Sequence, residues 1–134
     1  MSKKMLLAAT CAIGWWIAPT SVAAHHSFAA EYDAEKPVKV TGVVTKLEWT
    51  NPHARLYVDV KDGAGAVSSW EFELGSPNGL MRSGWSRSSL KPGDSVSVEG
   101  FAARKDPRVA NARSVTLADG KKVFAGSPID AQTP

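Results

Sequence analysis

Two alternating runs of opposite parity meet at a glycine, and this junction limits the architecture more than any other feature. Val38 and Val40 alternate with Lys39 and Thr41. Beyond Gly42 the apolar positions become Val43, Thr45, Leu47 and Trp49. Period-two alternation is the mark of a strand with one buried face. A switch of parity inside one run requires an extra residue, which is what a β-bulge supplies. The sequence therefore predicts one long first strand from Val38, bulged at Gly42, with Val40 and Leu47 both facing inward.

The rest of the chain extends that pattern. Asn51-Pro52 marks a turn. Ala54, Leu56, Val58 and Val60 alternate with Arg55, Tyr57 and Asp59 as a second strand. Asp62-Gly63 and Gly65 turn the chain. Trp70, Phe72 and Leu74 then face one way, and Ser69, Glu71 and Glu73 the other, in a third strand. Ser76-Pro77 is a helix start, with serine as N-cap and proline in the first turn. Gly79 and Gly84 keep that helix short, and Leu80, Met81, Trp85 and Leu90 are its apolar cover. A fourth strand runs from Ser95 to Phe101, with Val96 and Val98 inward. Residues 102–111 read as a polar loop and Arg113–Leu117 as a fifth strand. Asp119-Gly120 is a hairpin turn, and Lys121–Ala125 pairs back. The expected fold class is all-β: a small OB-like barrel of five to six strands with one short helix between strands 3 and 4.

The first residues do not belong to that pattern. Lys3 and Lys4 precede an apolar stretch from Met5 to about Ala18, followed by small residues. This is the order of a secretory signal peptide over residues 1–24. The apolar stretch is too short for a membrane span, so no stable membrane anchor is expected after cleavage. The expected order is signal peptide 1–24, N-terminal arm 25–37, β-barrel domain 38–125 and tail 126–134. Localisation is expected to be periplasmic or secreted. The 16 Lys and Arg against 13 Asp and Glu give a net charge of +3, and two of those lysines leave with the signal. The excess that a nucleic-acid binder needs is thus missing. The only cysteine, Cys11, lies in the signal, so the exported chain has no thiol or disulfide.

Three stretches carry candidate function. His25 and His26 stand at the expected cleavage site, and His53 in the turn between strands 1 and 2. Cutting after Ala24 frees an α-amine on His25, and cutting after Ala23 places His26 third. Either terminus chelates Cu(II) through amine and imidazole nitrogens, with His53 as a further nitrogen. Copper is therefore the candidate cofactor, with His25, His26 and His53 as metal ligands. Arg55, Tyr57, Asp59, Glu71 and Glu73 form a candidate ligand face on the outside of strands 2 and 3. Three carboxylates there repel phosphates, so no nucleic acid is expected as partner. A basic group, Arg104, Lys105, Arg108 and Arg113, lies near the fifth strand. Enzyme signatures such as a Gly-x-Ser-x-Gly elbow are missing. The chain reads as a non-enzymatic binding or accessory module for an unknown protein or small ligand. The alternative is a copper-handling protein.

The motifs His25-His26-Ser27-Phe28-Ala29-Ala30-Glu31-Tyr32-Asp33, Glu48-Trp49-Thr50-Asn51-Pro52-His53-Ala54, Gly75-Ser76-Pro77-Asn78-Gly79-Leu80 and Leu90-Lys91-Pro92-Gly93-Asp94 resemble a family of small exported bacterial proteins. That family is known only as a domain of unknown function. The resemblance spans nearly all of the chain beyond the signal. It implies an exported single domain and brings no activity or ligand with it.

Overall fold

A computed structural model describes residues 28–126. The expected signal region and cleavage site, His25, His26 and residues 127–134 lie outside the described residues. Among those described, six strands form one sheet: β1 Tyr32–Glu48, β2 Arg55–Lys61, β3 Val67–Glu73, β4 Ser95–Ala103, β5 Val109–Leu117 and β6 Lys122–Phe124. Their order is β3-β2-β1-β4-β5-β6. All neighbours are antiparallel except β3 and β5, which pair in parallel from Glu71↔Val109 to Glu73↔Asn111. That short parallel pairing closes the strands into a ring of contacts, β1-β2-β3-β5-β4-β1.

The interior is set by alternation, as expected for β2, β3 and β4. Leu56, Val58, Phe72, Val98 and Val115 are fully buried. Trp70 is half-buried and stacks on Phe72, with ring centroids 5.8 Å apart. Helix α2, Pro77–Arg82, lies between β3 and β4 as the sequence predicts, and Ser76 Oγ accepts from Gly79 N at 3.2 Å. Leu80 is buried beneath this helix, but Met81 points to solvent at 52% exposure. Trp85 follows in the loop. It is buried, and its indole N–H donates to Phe124 O at 2.8 Å.

Four expectations are corrected. The bulge is not at Gly42. Gly42 pairs in register with Val96 on β4, and the shift falls between Val44 and Lys46, where β1 pairs β2. Val38, Val40 and Val44 face the core, then Leu47 and Trp49, while Val43 is 44% exposed. Thr45 is the extra residue, and its hydroxyl donates to Tyr57 O at 3.3 Å. The glycine serves a different need: a Cβ on Gly42 would lie 2.2 Å from Asp59 O, because β1 presses on β2 there. Second, β1 begins at Tyr32, inside the stretch read as an arm, and among the described residues α1, Phe28–Glu31, precedes it. Third, the loop expected over residues 102–111 is narrower, because Ala102 and Ala103 belong to β4 and Val109–Asn111 to β5. Fourth, Met81 provides no cover for the core.

The N-terminal segment packs on the outer surface. The rings of Phe28 and Tyr32 lie 5.5 Å apart, and Phe28 meets Phe101 edge-on at 5.9 Å. Arg104 clamps the segment from β4's end: its backbone N–H donates to Glu31 O at 2.9 Å and its Nε to Ala29 O at 2.9 Å. Arg104 also lies 3.5 Å from Asp33. This member of the basic group therefore has a structural task.

Candidate functional site

Register decides which side chains meet outside the ring. Glu48 is the partner of Arg55, Arg55 of Glu73, Glu73 of Asn111, and Asn111 of Phe101. Partnered residues on neighbouring strands project to the same face. Glu73 and Asn111 each lie between core residues, Phe72 and Leu74 for one, Ala110 and Ala112 for the other, so both face away from the core. A polar belt thus crosses β1, β2, β3, β5 and β4 and ends on Phe101, where α1 packs.

The predicted ligand face lies in this region, and every member of it is engaged by a neighbouring side chain. Arg55 Nη1 donates to Glu71, and Arg55 Nη2 lies 3.9 Å from Glu73. Burial pushes the Arg55 guanidinium pKa down, but Glu71's hydrogen bond and charge, joined by Glu73, outweigh it and raise it. Tyr57 donates to Glu48 Oε2 at 3.1 Å, and Lys46 sits 5.4 Å from the Tyr57 ring centre. Burial, then the Glu48 hydrogen bond, hold the Tyr57 hydroxyl above its ordinary pKa. Asp59 accepts from Ser69 Oγ at 2.6 Å. Arg55, Glu71 and Glu73 thus pair among themselves, while Tyr57 and Asp59 are engaged by Glu48 and Ser69, so none of the five is a waiting ligand.

Glu73 is the centre of the belt. Its Oε1 lies 3.8 Å from His53 Nδ1, and that same nitrogen lies 3.1 Å from Leu74 O. Tyr32 is also turned toward it. Burial raises the Tyr32 hydroxyl pKa far above its ordinary value, and Glu73's charge and hydrogen bond push the same way. Beside Glu73, Asn111 is only 4% exposed, and its Oδ1 has no hydrogen-bond partner among the described residues. Sequence reading missed Tyr32 and Asn111, since their place depends on the β3–β5 register. Among the described residues, no group of three or more His, Cys, Asp or Glu is placed to hold a metal. His53 is the described member of the predicted copper set; His25 and His26 lie outside the described residues.

The belt runs into a groove of about 640 Å³ on the outer face of β1, β4, β5 and β6. Pro37, Phe101 and Phe124 give it an apolar lining, beside the charged Lys39, Glu99, Arg113 and Lys122. Arg113 stacks over Phe101 at 5.6 Å. Glu99 receives Lys122 and also Lys39, at 3.0 Å. The Lys122 hydrogen bond, then that of Lys39, lower the Glu99 pKa from 4.5 to about 2. A carboxyl with a lowered folded pKa stabilises the fold above its unfolded pKa and loses that contribution as pH falls through the folded one. Wild type is therefore expected to lose an increment of stability between about pH 4.5 and 2 that Glu99→Gln does not lose. Urea midpoints across that window check this: the two proteins should converge as pH falls, and parallel curves would refute the assignment.

These features define a small all-β domain with a closed strand ring, one inter-strand helix and a polar outer belt beside an apolar groove. The chain belongs to a family of unknown function, DUF6152, whose match covers residues 15–111. No curated protein matches it. Among the described residues no helix is long and apolar enough to cross a membrane.

Proposed function

We propose that the protein is an exported, non-catalytic binding or accessory module built on an OB-like barrel. The ring order β1-β2-β3-β5-β4-β1 and the helix between β3 and β4 support the barrel reading. The basic, apolar, small-residue order of residues 1–24 supports export to the periplasm or beyond. The single observation that carries the binding reading is the groove. It combines an apolar lining from Pro37, Phe101 and Phe124 with charged groups at Lys39, Glu99, Arg113 and Lys122, and apolar surface with a few placed polar groups is what a ligand site offers. The predicted face around Tyr57, its side chains already engaged by neighbours, is the flanking surface. A photoreactive residue placed in the exported protein at Lys39, Tyr57 or Lys61 tests this. Cross-linked species should form from Lys39, weaker ones from Tyr57, and none from the control position Lys61. Equal labelling from all three, or none from any, would defeat the binding reading.

A second reading, copper handling, is favoured by His53. A carbonyl oxygen only accepts, so the nitrogen facing Leu74 O must carry the proton. In a neutral ring the lone pair is then on Nε2, the nitrogen a metal would take. Processing that frees His25, or places His26 third, would provide the remaining nitrogens. The processed protein should bind one Cu(II) tightly. A form with one extra Met before His25 should differ in affinity and spectrum. Identical binding by both forms would remove the N-terminal histidines from the site.

A further inference from the structure

We infer that the groove over β1, β4, β5 and β6 takes a soluble amphipathic carboxylate, its apolar body along Pro37 and Phe101 and its charged end against Arg113. The inference rests on the groove as the binding site and names the class of molecule that fits it. Register lays out two rows on this face. Lys39 is the partner of Glu99, Glu99 of Ser114 and Ser114 of Phe124. Two residues along β1 and β4, Pro37 is the partner of Phe101. Residues two apart on a strand share a face, so the charged row and the apolar row lie side by side. With neighbouring strands about 4.8 Å apart, the row across four strands is about 14 Å long. An elongated molecule with one apolar part and one charged end matches that layout.

The irregular register between β4 and β5 is what brings Arg113 to this face. Glu99 is the partner of Ser114 but Gly100 of Ala112, so Arg113 is the extra residue. Ala112 and Val115 are fully buried, and the two residues between them, Arg113 and Ser114, are not. A bulge re-aims a side chain in this way. The Arg113 guanidinium lies over Phe101, 5.6 Å from the ring centre. A guanidinium is a planar fork of N–H donors that a carboxylate fits with two parallel hydrogen bonds. Charge favours the same ligand. The lining holds three cations, Lys39, Arg113 and Lys122, against one carboxylate, Glu99, a surplus of two positive charges. Glu99 is already engaged by Lys39, Lys122 and the Ser114 hydroxyl, which donates to Oε2 at 3.2 Å. A cationic ligand would therefore find its only carboxylate in the lining taken, whereas an anion meets the surplus. The volume of about 640 Å³ is that of a site for one small organic molecule.

The test uses the exported protein and three dodecyl probes below their micelle concentrations: dodecanoate, dodecanol and dodecyltrimethylammonium. Calorimetry should show dodecanoate binding about tenfold tighter than either of the others, and more weakly as salt is raised. Amide signals of Lys39, Phe101, Ser114 and Phe124 should shift in ¹H–¹⁵N spectra. Arg113→Gln should weaken dodecanoate binding about ten- to a hundredfold, the scale of hydrogen bonds to a charged group, and leave dodecanol unchanged. Lys61→Gln, the same loss of charge at the end of β2, should bind as wild type does. The wild-type comparison of probes stands even if Arg113→Gln does not fold. If all three probes bind equally and shift the groove amides, the groove reading survives and the preference for a carboxylate is refuted. If none binds, the carboxylate is refuted, and cross-linking from Lys39 decides whether the groove reading falls with it. Dodecanoate binding that leaves the groove amides unmoved, or binding to phosphatidylglycerol vesicles alone, would overturn the inference as well.

Discussion

Gly100→Ala should cost about 3 kcal/mol or more, the upper range for single substitutions. A Cβ built on Gly100 would lie 1.6 Å from Asn111 O and 2.8 Å from Asn111 C. These are backbone atoms of the paired strand, so no rotamer change relieves the overlap. β4 and β5 would have to separate at the irregular register between Glu99 and Gly100, where they are already one residue out of step. Gly42→Ala should behave similarly for the same reason, with Asp59 O at 2.2 Å. Gly63→Ala is the control, because nothing lies within 4 Å of its added Cβ. It should stay within about 0.5 kcal/mol of wild type. Chemical denaturation of the three variants checks the set. A Gly100→Ala protein as stable as Gly63→Ala would show that the strands are not packed as described.

Trp85→Ala should cost about 3–5 kcal/mol, as expected for truncating a large buried aromatic. Trp85 is 5% exposed and belongs to the core, although it sits in a loop after a glycine. Trp85→Phe separates packing from hydrogen bonding. It retains most of the apolar volume but leaves Phe124 O without its indole donor. About 1–3 kcal/mol should be lost, the cost of an unsatisfied buried carbonyl. The measured order should be wild type, then Phe, then Ala. Equal losses for Phe and Ala would mean that the hydrogen bond to β6, not the packing, is what the site depends on.

Trp85 also shows what was legible from the residues alone. Where one face of a strand is buried and the other is wet, alternation reports it directly. That is why Leu56, Val58, Phe72, Val96 and Val98 could be assigned to the interior. The helix start at Ser76-Pro77 was legible because capping is a local interaction. The start of β5 was not. Ala110, Asn111 and Ala112 are buried in succession, so no period-two signal exists there. A polar residue in such a run reads as loop unless the covering N-terminal segment is known. The bulge was misplaced because a glycine marks two different needs, an extra residue or a close approach, and spacing does not separate them. At Gly42 the need was the approach of β2's backbone. The candidate face was legible by parity, but its internal pairing was not. Arg55 meets both Glu71 and Glu73 only because of the β2–β3 register. The shared use of Glu73 by His53 and Tyr32 is less local still. It depends on a turn, a strand end and the chain's N-terminal segment arriving together.

The ring closes late. Tyr32 at the head of β1 is partnered with Ala103 at the end of β4, and β3 waits for Val109–Asn111 before its outer edge is covered. Contacts of such long sequence separation carry a large loop-closure cost and form slowly. A chain delivered with its N-terminus first therefore offers β1, β2 and β3 as an open meander until almost the last strand has emerged. Its first strand has half of its length unpaired through that interval. The same order exposes β3's edge to any helper protein that binds extended segments, up to the moment β5 takes that place.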